Sequence, residues 1–240
     1  MKKLLLPLIA VFSFTAAQAQ WGGHNIKGNG NTTTITRATS NYNSVHCAGS
    51  FDYVLVAGNE GRITITGESN LLKHIITEVK RGQLIIKTEN GKQLTPSRNK
   101  TITIKVPFED IDAVSLSGSG DLWNEDIIRS TNFEAVLSGS GDIILNIQAK
   151  NAIGKISGSG DLTIKGSTEN LKAGVTGSGD FHGFDLKSTH TNVSVTGSGD
   201  ADVICNGKLT ARVTGSGDIS YRGRPTNEDF KIVGSGSIEN

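Results

Sequence analysis

The sequence predicts an all-β protein built as a parallel β-solenoid, a β-helix with coils of about nineteen residues, and three observations carry that reading. Gly-Ser-Gly begins at Gly118, Gly139, Gly158, Gly177, Gly197, Gly215 and Gly234, at intervals of 21, 19, 19, 20, 18 and 19 residues. The flanks repeat with it: Leu116, Leu137, Ile156, Val175, Val195, Val213 and Ile232 stand two residues before each first Gly. Leu122, Ile143, Leu162, Phe181, Ala201, Ile219 and Ile238 stand four residues after it. The composition agrees, with 30 Gly but only 4 Pro among 240 residues, so neither collagen nor a Pro-rich linker fits. Aromatics are 5% of the chain, so the core has to be assembled from many small aliphatic contacts.

The chain opens with Met1-Lys2-Lys3, an apolar stretch from Leu4 to Ala17, and the small-x-small triplet Ala17-Gln18-Ala19. This is the pattern of a secretory signal, predicting residues 1–19 as a cleaved peptide and a mature chain starting at Gln20. Gln20 stands where a lipoprotein would carry Cys, so lipid anchoring is not expected. No apolar run reaches the ~18 residues of a spanning helix, so no integral membrane segment is expected after cleavage. Location in the periplasm, on the outer surface or outside the cell follows. Loss of Lys2 and Lys3 moves the formal charge from +1 to −1, which makes nucleic acid and acidic membranes poor partners.

Residues 20–40, rich in Gly, Asn and Thr, read as a flexible leader. Residues 41–112 read as irregular β coils and a cap. Phe51–Val56, Arg62–Thr66, Leu84–Lys87 and Thr101–Val106 are β-like runs, the clearest alternation being Ile102, Ile104, Val106. Ser69-Asn70 before Leu71 and Leu72 predicts one helical turn, and Arg81-Gly82 a tight turn. The segment around Gln93 to Asn99, with Pro96, reads as a polar, mobile loop. Residues 113–240 carry the regular repeats. Ser or Thr before the corner Gly alternates with the apolar positions, a period of two. A unit this short cannot bury its apolar face alone, but stacked coils ~4.8 Å apart turn equivalent residues into continuous ladders. Gly at the corners implies positive φ or close approach between coils.

The signal peptide, the β-rich first half with Asn70-Leu71-Leu72, the Pro107 approach to Ile111 and the Gly-Ser-Gly ladder together resemble the putative auto-transporter adhesin head GIN domain family of bacterial envelope proteins. The resemblance runs from about Asn43 to the C-terminus. It implies a right-handed parallel β-helix, export beyond the inner membrane and an adhesive or surface role, and it brings no catalytic residues with it. With repeats running to Asn240 and no translocator barrel, self-export is not expected.

The sequence carries little catalytic or ligating chemistry. Ser119 and its equivalents have Ser or Thr two positions earlier, so no Gly-x-Ser-x-Gly elbow forms, and Gly-x-Gly-x-x-Gly fails at every corner. His24, His46, His74, His182 and His190 are dispersed without metal-ligand spacing. His182 is expected to face solvent near the Asp180 corner. No catalytic residue and no cofactor is predicted. A polysaccharide-active β-helix enzyme is the rival class, and it would need a non-repeating cluster of carboxylates with Lys or Arg, whereas the carboxylates here belong to the repeat. Arg222-Gly223-Arg224-Pro225 reads as a loop before the last coil. A structural or stress-related envelope element is the other alternative to an adhesin-like module binding a glycan or protein at the cell surface.

The repeated chemical feature is a column of carboxylates, Asp121, Asp142, Asp161, Asp180, Asp200 and Asp218, with Ser237 closing the series. At ~4.8 Å spacing their mutual repulsion needs relief. One relief is a column of Ca²⁺ ions; the other, favoured here, is that each Asp accepts hydrogen bonds from corner N–H groups. Cys47 and Cys205 could pair in an exported protein, but they lie in different parts of the pattern and read better as small buried residues. Ile232 and Ile238 belong to a final coil with nothing predicted to cover it, so masking by a partner, by self-association or by the leader is expected.

Overall fold

A computed structural model describes residues 24–240. The expected signal peptide and its cleavage site lie outside the described residues. In the first half the strands are β1 (His24–Lys27), β2 (Thr32–Ala38), β3 (Ser44–Gly49), β4 (Asp52–Ala57), β5 (Arg62–Glu68), β6 (Ile75–Lys80), β7 (Gln83–Thr88), β8 (Lys92–Thr95) and β9 (Thr103–Phe108), with one helical turn, α1 (Ser69–Leu72), after β5. The repeats supply β10 (Ala113–Gly118), β11 (Leu122–Asn124), β12 (Ile128–Gly139), β13 (Ile143–Gly158), β14 (Leu162–Gly177), β15 (Phe181–His182), β16 (Leu186–Gly197), β17 (Ala201–Ile204), β18 (Lys208–Gly215), β19 (Ile219–Arg222), β20 (Asn227–Gly234) and β21 (Ile238–Glu239). Among the described residues no helix is long and apolar enough to cross a membrane.

The fold is the expected solenoid, and its register is the one the repeat dictates. Leu116 pairs with Leu137, then Ile156, Val175, Val195, Val213 and Ile232 along one parallel ladder. Leu122, Ile143, Leu162, Phe181, Ala201, Ile219 and Ile238 form the second. Except for the two residues of the last coil, every member is buried.

The corner needs Gly for two distinct reasons. At the first position φ is positive, +134° at Gly139, and a Cβ would also stand 2.2 Å from the Gly118 carbonyl oxygen. At the second, Gly141, a Cβ would stand 1.9 Å from the Gly120 carbonyl oxygen, so close coil contact alone excludes a side chain. That contact satisfies the backbone: the Gly118 carbonyl accepts from Ser140 N at 2.9 Å and from Gly141 N at 3.1 Å.

Two features extend the repeat beyond its legible copies. Cys47 lies under Leu116 and Ile86 under Cys47; Tyr53 lies under Leu122 and Ile104 under Tyr53. Gly49-Ser50-Phe51-Asp52 is therefore an eighth corner, in register with Gly118-Ser119-Gly120-Asp121, with Phe51 in place of the second Gly. Four successive coils also have a second bend, where the ladder skips one residue at Thr131, Lys150, Glu169 and Thr189. Buried hydroxyls serve the carbonyls there: Thr168 Oγ1 donates to Lys150 O and Asn170 O, each at 3.1 Å.

Residues 24–38, expected to be a flexible leader, are instead two strands. β1 pairs in parallel with β8, and β2 pairs antiparallel with β5. The same pairing makes a strand of Lys92–Thr95, within the segment expected as a mobile loop. Both are held through Glu68, whose carboxylate accepts from Ser97 N at 2.7 Å, from Ser97 Oγ at 2.6 Å and from Gly30 N. These bonds hold its pKa below the usual carboxylate range. The helical turn forms where expected, but Glu68 rather than Ser69 precedes it and no side chain caps it. Arg81 and Gly82, both at positive φ, turn the β6–β7 hairpin as predicted.

Candidate functional site

The Asp column resolves into the hydrogen-bonded corner. Asp142 N donates to Asp121 Oδ1 at 3.3 Å, Asp161 N to Asp142 Oδ1 at 3.0 Å and Asp180 N to Asp161 Oδ1 at 2.9 Å. Asp200 N, Asp218 N and Ser237 N continue the pattern onto Asp180, Asp200 and Asp218, at 2.7, 2.8 and 2.6 Å. Each carboxylate thus meets an amide dipole of the next coil, which offsets part of the repulsion along the column. Ser237 has no carboxylate, and it closes the series because it needs only its N–H.

One stretch of that column is chemically richer. His182 follows Phe181 on β15, its side chain 44% exposed as expected. Its Nε2 lies 3.9 Å from Asp161 Oδ2 and its Nδ1 3.7 Å from Asp202 Oδ2. Asp161, Asp180 and His182 each bring one ligating atom within 4.8 Å of the others. A cavity of about 200 Å³ beside them is lined by Asp180, His182, Asp200, Asp202 and Asp218. Two coils away, Asp121, Trp123, Asp142 and Ile144 line a smaller recess of about 160 Å³.

A cleft larger than these two lies at the second bend, where the sequence predicts no site. The residue after each skipped position is Asn132, Asn151, Asn170 and then His190. Asn151 Nδ2 donates to Asn132 Oδ1 at 2.7 Å and Asn170 Nδ2 to Asn151 Oδ1 at 2.9 Å, an amide ladder along the axis. His190 ends it, its Nδ1 accepting from Lys208 N at 3.1 Å. A cavity of about 340 Å³ runs past Asn151, Asn170, His190 and Lys208, with Lys172 on its wall. A second, of about 280 Å³, runs past Asp112, Asn132 and Glu134. Both are lined by Asn151 and Ile153, so together they make one axial groove with amides along it and both charge signs on its walls. The signal was present in the sequence: Asn132, Asn151 and Asn170 are spaced by 19 residues, the period of the Gly corners.

The remaining candidates are structural. Cys47 and Cys205 are free, buried thiols rather than a pair. Cys47 sits in a core ladder, where burial pushes its pKa up; Cys205 Sγ contacts Thr189 O at 3.3 Å. Arg222 stacks on Phe184, 3.8 Å from the ring centroid.

A parallel β-solenoid with a repeated Gly-Ser-Gly-Asp corner, grooved along its axis, defines the class of protein. Residues 41–225 match the family described as "Putative auto-transporter adhesin, head GIN domain", and the chain belongs to that family. The fold is similar to that of a putative adhesin from Bacteroides fragilis, with a TM-score of 0.80 and 22% identity over 90% of this chain and 99% of that one. It is similar to a putative lipid binding protein from Parabacteroides distasonis, with a TM-score of 0.74 and 26% identity over 90% and 98%. A putative adhesin from the same organism gives a TM-score of 0.73 and 23% identity over 90% and 99%. No curated protein matches the chain.

Proposed function

We propose that this protein is an exported, non-catalytic adhesin-like module that holds an extended glycan strand in the groove of the second bend. The observation that carries the proposal is the continuity of that groove across the Asn132, Asn151, Asn170 and His190 ladder. Each Asn spends part of its hydrogen-bonding capacity on the ladder and keeps donor and acceptor sites for a ligand. One amide per coil, at the ~4.8 Å spacing of stacked strands, suits a ligand that repeats along its length. Ile153 adds apolar surface for the faces of sugar rings. Family membership and the signal-like N-terminus support export and a surface role.

The lipid-binding description of one solved relative supports a second reading, in which the same apolar lining takes an acyl chain. A glycan array, depolymerisation assays on acidic and neutral polysaccharides, and flotation with phosphatidylglycerol vesicles separate the readings. Saturable glycan retention without chain cleavage, weakened about tenfold by Lys172→Ala with Lys208→Ala, is expected. Chain cleavage would establish an enzyme, and vesicle binding without glycan retention would favour the lipid reading.

A further inference from the structure

The last coil differs from those beneath it in what its inward face carries. At the register of Phe230 the earlier coils place Ala135, Gly154, Ala173, Val193 and Ala211. Ala211, directly beneath, is already buried, so the Phe230 ring is larger than the position needs. It rests against Tyr221, with centroids 5.6 Å apart, and stays 37% exposed. Ile232 and Val233 are 46% and 52% exposed, and every one of the eight residues of β20 is exposed. Among the described residues β20 pairs only with β18, which leaves its other edge open.

The charges on that edge select an occupant. Asp229 and Lys231 flank Phe230 on the outward face. We propose that β20 pairs antiparallel with β20 of a second copy, about a two-fold axis at Phe230, joining two solenoids end to end. In that register Asp229 meets the partner's Lys231 and Lys231 meets the partner's Asp229, while the two Phe230 rings face each other. Axes at Glu228, Asp229 or Lys231 would each set a like charge against itself, and an axis at Ile232 would oppose Lys231 to Val233. Glu228 falls opposite the partner's Ile232, its carboxylate held by the Tyr221 hydroxyl at 3.1 Å. The pairing buries Phe230 and Ile232 in a core continuous through both copies.

Light scattering on size-fractionated protein with charge-swapped variants tests this. Lys231 makes no hydrogen bond or ion pair within the described residues, so Lys231→Asp is expected to keep its melting temperature in dilute solution and to lose the dimer, at least about tenfold in affinity. Asp229→Lys is also expected to be monomeric, and an equimolar mixture of the two variants to dimerise again, because Lys then faces Asp at both positions. Asp229 also pairs with Arg212 in its own chain. Should Asp229→Lys fold poorly, Phe230→Cys gives an independent readout, since a residue on the axis meets itself and mild oxidation should yield a covalent dimer. A wild-type monomer, a dimer that survives Lys231→Asp, or growth beyond two copies would each overturn the proposal.

Discussion

At the N-terminal end of the solenoid the parallel ladders stop against antiparallel strands, whereas at the C-terminal end they stop at an open edge. The 68 residues between Gly49 and Gly118 do not continue the coils in sequence order. They leave the first coil, lay β7 and β9 beneath it, and fold β6 and β5 antiparallel against those, with β2 outermost. Arg37 on β2 ties this end together: it donates to Leu72 O at 2.6 Å, to Ile75 O, and to Thr77 Oγ1 at 3.3 Å. Leu71, Leu72 and Ile75 are buried under that clasp, while Phe230 and Ile232 at the other end are exposed. Stacking identical coils propagates a core without ending it; an end requires either non-repeating sequence or a second surface.

The largest effect is expected in the middle of the column. Val195 is packed between Val175 and Val213, so Val195→Asp buries an unpartnered carboxylate and should cost about 3 kcal/mol or more in chemical denaturation. Ile232→Asp, on the same ladder at the open end, should cost under about 1 kcal/mol in dilute solution. Equal costs would contradict the difference between interior and end. Arg37→Ala should come next, at about 1–2 kcal/mol, since it strands two carbonyl acceptors at the closed end.

Smaller again is the corner. Asp161→Ala removes the acceptor for Asp180 N and should cost about 1 kcal/mol in metal-free buffer. Ca²⁺ at millimolar concentration should leave the melting temperature of both proteins unchanged; a Ca²⁺-dependent rise that Asp161→Ala abolishes would make the column a metal site. At the closed end, Glu68 adds a pH dependence. Its folded pKa is lowered, so its contribution is complete above the ordinary glutamate pKa and is lost as pH falls through the folded value. Glu68→Gln should therefore flatten the acid limb of a melting-temperature profile without changing its basic limb.

The comparison also explains what could be read from residues alone. Where coils repeat, each position is specified many times, so the ladders through Val195 and the Gly corners were legible. The Asp bonds followed from the same argument, because stacked carboxylates need donors and the Gly corner exposes them. At the closed end each residue is specified once. Thr32–Ala38 has little apolar alternation and reads as disordered, because its pairing with β5 is supplied by tertiary structure. The corner at Gly49 is masked in the sequence by Phe51 and by the inserted residues, and the Asn bend by the stronger Gly repeat, which has the same period.

Hydrogen exchange measured peptide by peptide on the Lys231→Asp protein tests the difference between the two ends most directly. The account predicts that amides of β2, β5, β6 and β7 exchange nearly as slowly as those of β13 and β14, while β20 and β21 exchange fastest of all strands in the solenoid. Protection that falls symmetrically toward both ends, or that is lower at β2 and β6 than at β20, would contradict it.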